Sequence, residues 1–273
     1  MGIATPIRLG FLTVLTSALL WSAELYVSPA GSGTECTQSN PCDFQTALIV
    51  AANNSEDDTI YLKKNPSDLV DYRLSSPVYY SAEPSRGSLT IKPEDQNSIV
   101  SMSGDSNRDD VPDTKILVVY IRGSGSATVT IEGIKFLQGG SDTQPYSVLV
   151  RMDAGTVLIK NCDFSESYGG LWIDISGGEA IVEDSKFLGN FTEDLYGAGL
   201  RFTAPSGTAS LTVKNSIFSI NRALAGTSWT KGGGLYTSIS VGSVTVVNSV
   251  FHGNHSIMGG SLCRYSWWKC YAS

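Results

Sequence analysis

The sequence predicts an all-β parallel β-helix with a short helix at its N-terminal end, and three observations carry that prediction. First, one twelve-residue cassette recurs as TVTIEGIKFLQG (128–139), TVLIKNCDFSES (156–167), EAIVEDSKFLGN (179–190), SLTVKNSIFSIN (210–221) and SVTVVNSVFHGN (243–254). Its phenylalanines, Phe136, Phe164, Phe187, Phe218 and Phe251, are 28, 23, 31 and 33 residues apart, a step that marks a solenoid with loops of varying length. Second, the chemistry of each cassette column is fixed. Val129/Ile131, Val157/Ile159, Ala180/Val182, Leu211/Val213 and Val244/Val246 alternate as a strand with one buried face. Gly133, Asn161, Asp184, Asn215 and Asn248 then fill a bend column, because Gly, Asn and Asp adopt a left-handed backbone at least cost. Third, a glycine-led strand precedes the cassettes as GGLWIDI (169–175), GAGLRF (197–202) and GGGLYT (232–237), and without the glycines as SVLVRM (147–152). An antiparallel sandwich also gives short strands but predicts no fixed column chemistry. Stacked turns explain it, since one turn alone cannot bury its apolar face.

The elements follow in order. Residues 1–23 read as a secretory signal, with Arg8 ahead of an apolar core at 9–20 and a cut expected after Ala23. That core is too short to span a bilayer comfortably, and the mature chain shows no transmembrane segment. Residues 24–58 form an N-terminal cap: a strand, a loop holding Cys36 and Cys42, and a short helix. In an exported protein two cysteines this close predict a disulfide. Phe44, Ala47, Leu48, Val50 and Ala51 space as one helical face, with Asp43 as N-cap, and such a helix would cover the first coil. Residues 59–262 form the β-helix proper, opening with TIYL (59–62); 65–85 read as loop or irregular strand. The run DSNRDDVPD (105–113) lacks an EF-hand's glycine and terminal glutamate and reads as a solvated loop rather than a calcium site. Residues 263–273 lose all alternation and read as an irregular tail, the sign of a truncated copy of a longer chain, with Cys263 and Cys270 able to pair.

Inside the coils, Ile134, Cys162, Ser185, Ser216 and Ser249 point inward after the bend, which makes Cys162 a buried free thiol. The bend asparagines are expected to pass amide hydrogen bonds along the axis. Outside, Glu132, Lys160, Glu183 and Lys214 alternate in sign, as a salt-bridge ladder between coils would.

At these residues a resemblance appears. GGGL (232–235) and GAGL (197–200) look like the GGA[I/L/V] motif of the polymorphic outer membrane proteins. FLGN (187–190), FSIN (218–221) and FHGN (251–254) match that family's FxxN motif. The likeness covers roughly Ile116 to Leu262, and the opening pattern YVSPAGSGTEC (26–36) is common among secreted β-helix proteins. The resemblance implies a right-handed, pectin-lyase-like solenoid, secreted or displayed at a cell surface or outer membrane, often adhesive. It implies no catalytic residue and no cofactor.

Composition agrees: charged residues are 16% of the chain and the net charge is −7, which disfavours nucleic acid as a partner. The rival class is a polysaccharide lyase or glycoside hydrolase acting on acidic polysaccharide, since pectate lyases and polygalacturonases share the fold. Trp172-Ile-Asp174 matches three letters of a lyase motif, but Ile175 stands where histidine is required, and the paired aspartates of the hydrolases are missing. The histidines, His252 and His255, read as exposed loop residues, and no metal set is apparent. The better candidate is a surface. Arg151, Trp172, Arg201 and Tyr236 are expected to point outward in successive coils and to hold a glycan or a surface protein, against the plainer reading that they only stack on one another. Asn53, Asn190 and Asn254 lie in N-x-[S/T] sequences.

Overall fold

The structure, a computed structural model, describes residues 22–193, 196–224 and 230–257 and the backbone of the strands Leu262–Tyr265 and Lys269–Tyr271. The signal-like segment, apart from Ser22 and Ala23, lies outside the described residues.

Every coil lays its strands parallel to, and in register with, those of the coils on either side. The cassette row runs Ser22–Val27, Asp57–Leu62, Leu89–Pro93, Ala127–Glu132, Gly155–Lys160 and Gly178–Glu183, then the second halves of Leu200–Lys214 and Leu235–Val247. Around the bend lies a second row of seven strands, from Tyr72–Arg73 to Val250–His252. The glycine-led row holds Val78–Ala82, Leu117–Ile121, Val148–Met152 and Leu171–Ile175, joined by the first halves of the two long strands. Parallel pairing of strands one full repeat apart is what a solenoid requires and a sandwich cannot give.

The phenylalanines form one column inside the solenoid. Successive ring centroids from Phe136 to Phe251 lie 5.0, 4.9, 4.5 and 4.6 Å apart, the last three pairs within 5° of coplanar. Met102 and then Tyr72 continue the column toward the N-terminus. Stacking of this kind adds ~0.5–1.5 kcal/mol per pair beyond the area buried. Where a coil lies above, the alternating cassette residues are fully buried; in the last coil Val246 is 36% exposed, because among the described residues no strand covers that edge.

The bend column has the backbone its residues suggest: φ is 67° at Gly133, 50° at Asn161, 51° at Asp184, 52° at Asn215 and 49° at Asn248. The expected amide ladder is not there. Only Asn215 reaches along the axis, to Asp184 Oδ1 at 3.3 Å, because this corner is exposed and water competes for its amides. The ladder stands one corner further on, at the asparagines that end FxxN. Asn190 Nδ2 donates to Asn221 Oδ1 (2.9 Å) and Asn221 Nδ2 to Asn254 Oδ1 (2.8 Å). The same amides donate to Phe164 O and Phe187 O, both at 2.8 Å. Asn190 and Asn221 are fully buried, so the N-x-[S/T] sequence at Asn190 offers no accessible amide in the folded chain. A serine ladder parallels it: Ser185 N donates to Ser216 Oγ (3.2 Å) and Ser216 N to Ser249 Oγ (3.1 Å). These ladders satisfy backbone groups that the corners would otherwise leave unpaired in the interior.

Outside, Lys160 bridges Glu132 and Glu183 at 3.9 Å each, and Lys214 meets Glu183 at 2.5 Å. Such half-exposed pairs stabilise by at most ~1 kcal/mol each.

At the N-terminal end two strand edges are covered. Asp43 caps the helix Phe44–Asn53 by accepting from Thr46 N at 2.9 Å, and Phe44, Ala47, Leu48 and Ala51 are buried beneath it. Gln45 pairs with the free edge of Val78–Ala82, its Nε2 donating to Tyr79 O (3.0 Å) and its Oε1 accepting from Tyr79 N (2.8 Å). The other edge, Ser22–Val27, is covered by the loop closed by the Cys36–Cys42 disulfide: Tyr26 N donates to Cys36 O (2.7 Å) and Cys42 N to Tyr26 O (3.0 Å). Covering edges in this way blocks pairing with other chains.

The structure sharpens several parts of the sequence reading. The first solenoid strand is Ser22–Val27, which straddles the expected boundary between signal and cap, and a cut after Ala23 would trim it by two residues. Residues 65–85, read as loop or irregular strand, hold the strands Tyr72–Arg73 and Val78–Ala82, each paired to the next coil. Asp105 is no solvated loop residue: it is 1% exposed, and its carboxylate accepts from Arg108 N (2.7 Å) and Asp110 N (3.2 Å), folding the run around itself. The tail is not irregular: Leu262–Tyr265 pairs parallel with Leu235–Val247 and antiparallel with Lys269–Tyr271, placing Cys263 opposite Cys270.

Candidate binding seam on the glycine-led face

The glycine-led strands expose one side of each residue pair, and the outward positions fall into two adjacent columns. Leu149, Trp172, Arg201 and Tyr236 stand in one register; Tyr120, Arg151, Asp174, Thr203 and Ser238 stand in the other. Arg151 was expected in line with Trp172, but it lies two residues further along its strand. The strand before it lacks the glycine corner, and its register cannot be read by aligning glycines.

Glycines make this row possible. A Cβ on Gly199 would sit 2.4 Å from Gly234 O, and one on Gly170 would sit 2.5 Å from Gly199 O. No side chain fits where coil passes coil that closely.

The two columns knit into one seam. The Arg201 guanidinium lies 4.2 Å from the Trp172 ring centroid and that of Arg151 5.4 Å from it, while Arg122 (5.2 Å) and Arg151 (6.0 Å) share Tyr120. Arg201 also approaches Tyr196, which stacks on Tyr236 at 4.5 Å. Polar anchors fix the geometry: Arg151 Nε donates to Asp174 Oδ2 (2.8 Å), Thr203 Oγ1 to Asp174 Oδ1 (2.7 Å) and Trp172 Nε1 to Thr203 Oγ1 (3.0 Å). Tyr146 packs against Trp172 at 5.6 Å and donates its hydroxyl to Tyr196 O. Tyr146 belongs to the seam but was missed in the sequence, because it enters from a loop and repeats in no column.

Basic side chains gather at the seam. Arg122, Arg151, Arg201 and Lys115 gather here in a chain of net charge −7. Burial holds the Lys115 ammonium below its usual range, and the neighbouring Arg151 adds to that. Arg151, Trp172 and Arg201 are half-buried and Tyr236 is buried, so the seam offers guanidinium and ring edges rather than open ring faces. Coils only ~4.8 Å apart leave no room for a ligand ring between stacked side chains.

Other chemistry-bearing residues lie elsewhere. Cys162 is a free thiol within the core, and burial pushes its pKa up to about 12, which leaves it unreactive. His252 and His255 are exposed. No group of three or more metal-ligating side chains occurs among the described residues, and none of their helices is long and apolar enough to cross a membrane.

A family model described as a right handed beta helix region matches residues 117–266. No curated protein and no solved structure matches the chain. That match takes in more than half of the 273 residues, and with the parallel, in-register coils it fixes the winding: the chain belongs to the right-handed β-helix family.

Proposed function

We propose that this protein is a non-catalytic binding protein, secreted or held at the cell surface, whose glycine-led face recognises an extended acidic glycan. One observation carries the reading: a cationic, aromatic seam runs across successive coils of an otherwise acidic solenoid. Aromatic faces and Asp174 hold the guanidiniums in place, so little side-chain entropy remains to be lost on binding. An arginine fork suits carboxylate or sulfate groups, and the two adjacent columns present Arg151 and Arg201 two coils apart, on either side of Trp172. The signal-like residues 1–23 and the likeness to the polymorphic outer membrane protein repeat support export and display.

The fold also serves polysaccharide-cleaving enzymes, and fold alone does not decide between the two. Asp174 favours binding: both its oxygens already accept hydrogen bonds from the seam, which suits a positioning group better than a calcium ligand or a proton donor.

A glycan array followed by titration calorimetry tests the reading. Binding to acidic glycans, weakened at least tenfold in Trp172→Ala and Arg151→Ala while far-UV circular dichroism shows both variants folded, is expected. Release of reducing ends or unsaturated products from acidic polysaccharide, with or without calcium, would instead make the protein an enzyme. Preference for an acidic peptide over every glycan would also overturn the assignment.

A further inference from the structure

The seam alternates from coil to coil. Tyr120, Arg151, Trp172 and Arg201 occupy outward positions in four successive strands of the glycine-led row, ring and guanidinium by turns. Between Arg151 and Arg201, the strand Leu171–Ile175 turns Trp172 and Asp174 outward and carries no cation. Along the axis the order over these three coils is guanidinium, then indole with carboxylate, then guanidinium.

Contacts within the seam fix that order in place. Asp174 accepts from Arg151 Nε (2.8 Å) and Thr203 Oγ1 (2.7 Å), which holds its carboxylate against the sheet with 17% of the side chain exposed. Arg151 gives only its Nε to Asp174 and keeps 33% of its side chain exposed. An extended, equatorially linked pyranose chain advances per sugar by about one coil spacing, ~4.8 Å. A glycan lying along the axis therefore sets one sugar on each coil. Its first and third sugars meet Arg151 and Arg201, whose charges suit a carboxylate. The sugar between them meets the Trp172 edge and Asp174. A carboxylate there would lose water without gaining a cation and would face a fixed like charge. A neutral sugar would pack its C–H groups on the indole and donate a hydroxyl to Asp174.

We propose that the seam selects glycans whose carboxylates alternate with neutral sugars, and that Asp174 rejects polymers charged on every sugar. This rests on the reading of the seam as an acidic-glycan site and adds the charge pattern of the ligand. Asp174 then has two tasks: it holds Arg151 in place, and it supplies the repulsion by which a site discriminates between partners that share its attractive contacts.

Titration calorimetry on the full chain tests this with two probes of equal length. Hyaluronan octasaccharide carries a carboxylate on every second sugar, and a β-1,4-linked octaglucuronate carries one on every sugar. Charge count alone favours the octaglucuronate; the proposal expects the hyaluronan fragment to bind at least tenfold tighter, and uncharged chitin oligosaccharide not to bind. Asp174→Asn, which keeps an oxygen for Arg151, should tighten octaglucuronate binding at least tenfold. Glu179→Gln makes the same change of charge on the cassette row of that coil and should leave the preference unchanged. Far-UV circular dichroism checks that both variants are folded. Equal affinity for the two acidic probes, or preference for octaglucuronate, would overturn the alternation and leave the acidic-glycan reading standing. Equal weakening of both probes by Asp174→Asn would reduce Asp174 to a support for Arg151 and overturn its selective role. Binding to neither probe nor to any other acidic glycan would overturn both readings.

Discussion

Replacing Asn221 by alanine removes the centre of the buried amide ladder. Four hydrogen bonds go: those from its Nδ2 to Phe187 O and Asn254 Oδ1 (both 2.8 Å), and those to its Oδ1 from Asn190 N (3.2 Å) and Asn190 Nδ2 (2.9 Å). A buried hydrogen bond contributes ~1 kcal/mol net, and a donor left unpaired, here Asn190 N, costs ~1–3 kcal/mol. Because Asn190 Nδ2 keeps Phe164 O and Asn254 Oδ1 keeps Asn221 N, the sum is ~3–4 kcal/mol rather than the full count. Asn215→Ala, at the exposed bend, loses one 3.3 Å bond and the residue's tolerance of φ 52°, together ~1–2 kcal/mol. Urea titration followed by far-UV circular dichroism separates the two, provided the slope against urea is unchanged. Equal losses at the two sites, or a loss under 1 kcal/mol at Asn221, would refute the assignment of the ladder to the FxxN corner.

Other predictions follow from single side chains. Ile220 is exposed and β-branched yet sits at φ 57°, in line with Gly189 and Gly253 of the neighbouring coils; Ile220→Gly should raise the urea midpoint, by ~0.5–1 kcal/mol of stability. Asp58 faces the interior beside Tyr80, and burial raises its pKa to about 6. The folded state thus holds this proton more tightly than the unfolded state, so stability is lost as pH rises from ~4 to ~6 and the full penalty, ~3 kcal/mol, remains above that. Asp58→Asn should be more stable than the parent at pH 7 by up to that amount and lose the advantage at pH 4, as paired melts at the two pH values would report. Opening the Cys36–Cys42 loop by Cys36→Ser and Cys42→Ser should cost ~2 kcal/mol for so short a loop. It should also speed amide exchange in Ser22–Val27 ahead of the later coils, an order that peptide-level exchange measures directly.

The coils were legible because solenoid packing writes itself into columns. Val129 and Val157 occupy the same place one turn apart, and selection by a shared core leaves like above like. The seam was legible in its residue types but not in its register: Arg151 lies on a strand with no glycine corner, and only the backbone shows that it faces Asp174 rather than Trp172. The amide ladder was put at the wrong corner for a related reason. Asn215 and Asn221 look alike in sequence, and burial, which decides which amide needs a partner, comes only from knowing which corner turns inward. Asp105 and Tyr146 act once each, so no repetition announces them. The tail hairpin follows no coil pattern, which is why the lost alternation was read as lost structure.

Axial stacking underlies every contact described above, and spin-label distances along one outward column test it most directly. Thr59, Thr90, Thr130, Leu158, Ile181 and Thr212 occupy one register across successive coils. Cysteine-bound labels on chains carrying Cys162→Ser, Cys263→Ser and Cys270→Ser, at Thr59 and Thr130, Thr59 and Ile181, and Thr59 and Thr212, should report backbone separations of ~10, ~19 and ~24 Å, one strand spacing per coil. Distances that fail to grow in equal steps per coil would contradict the solenoid.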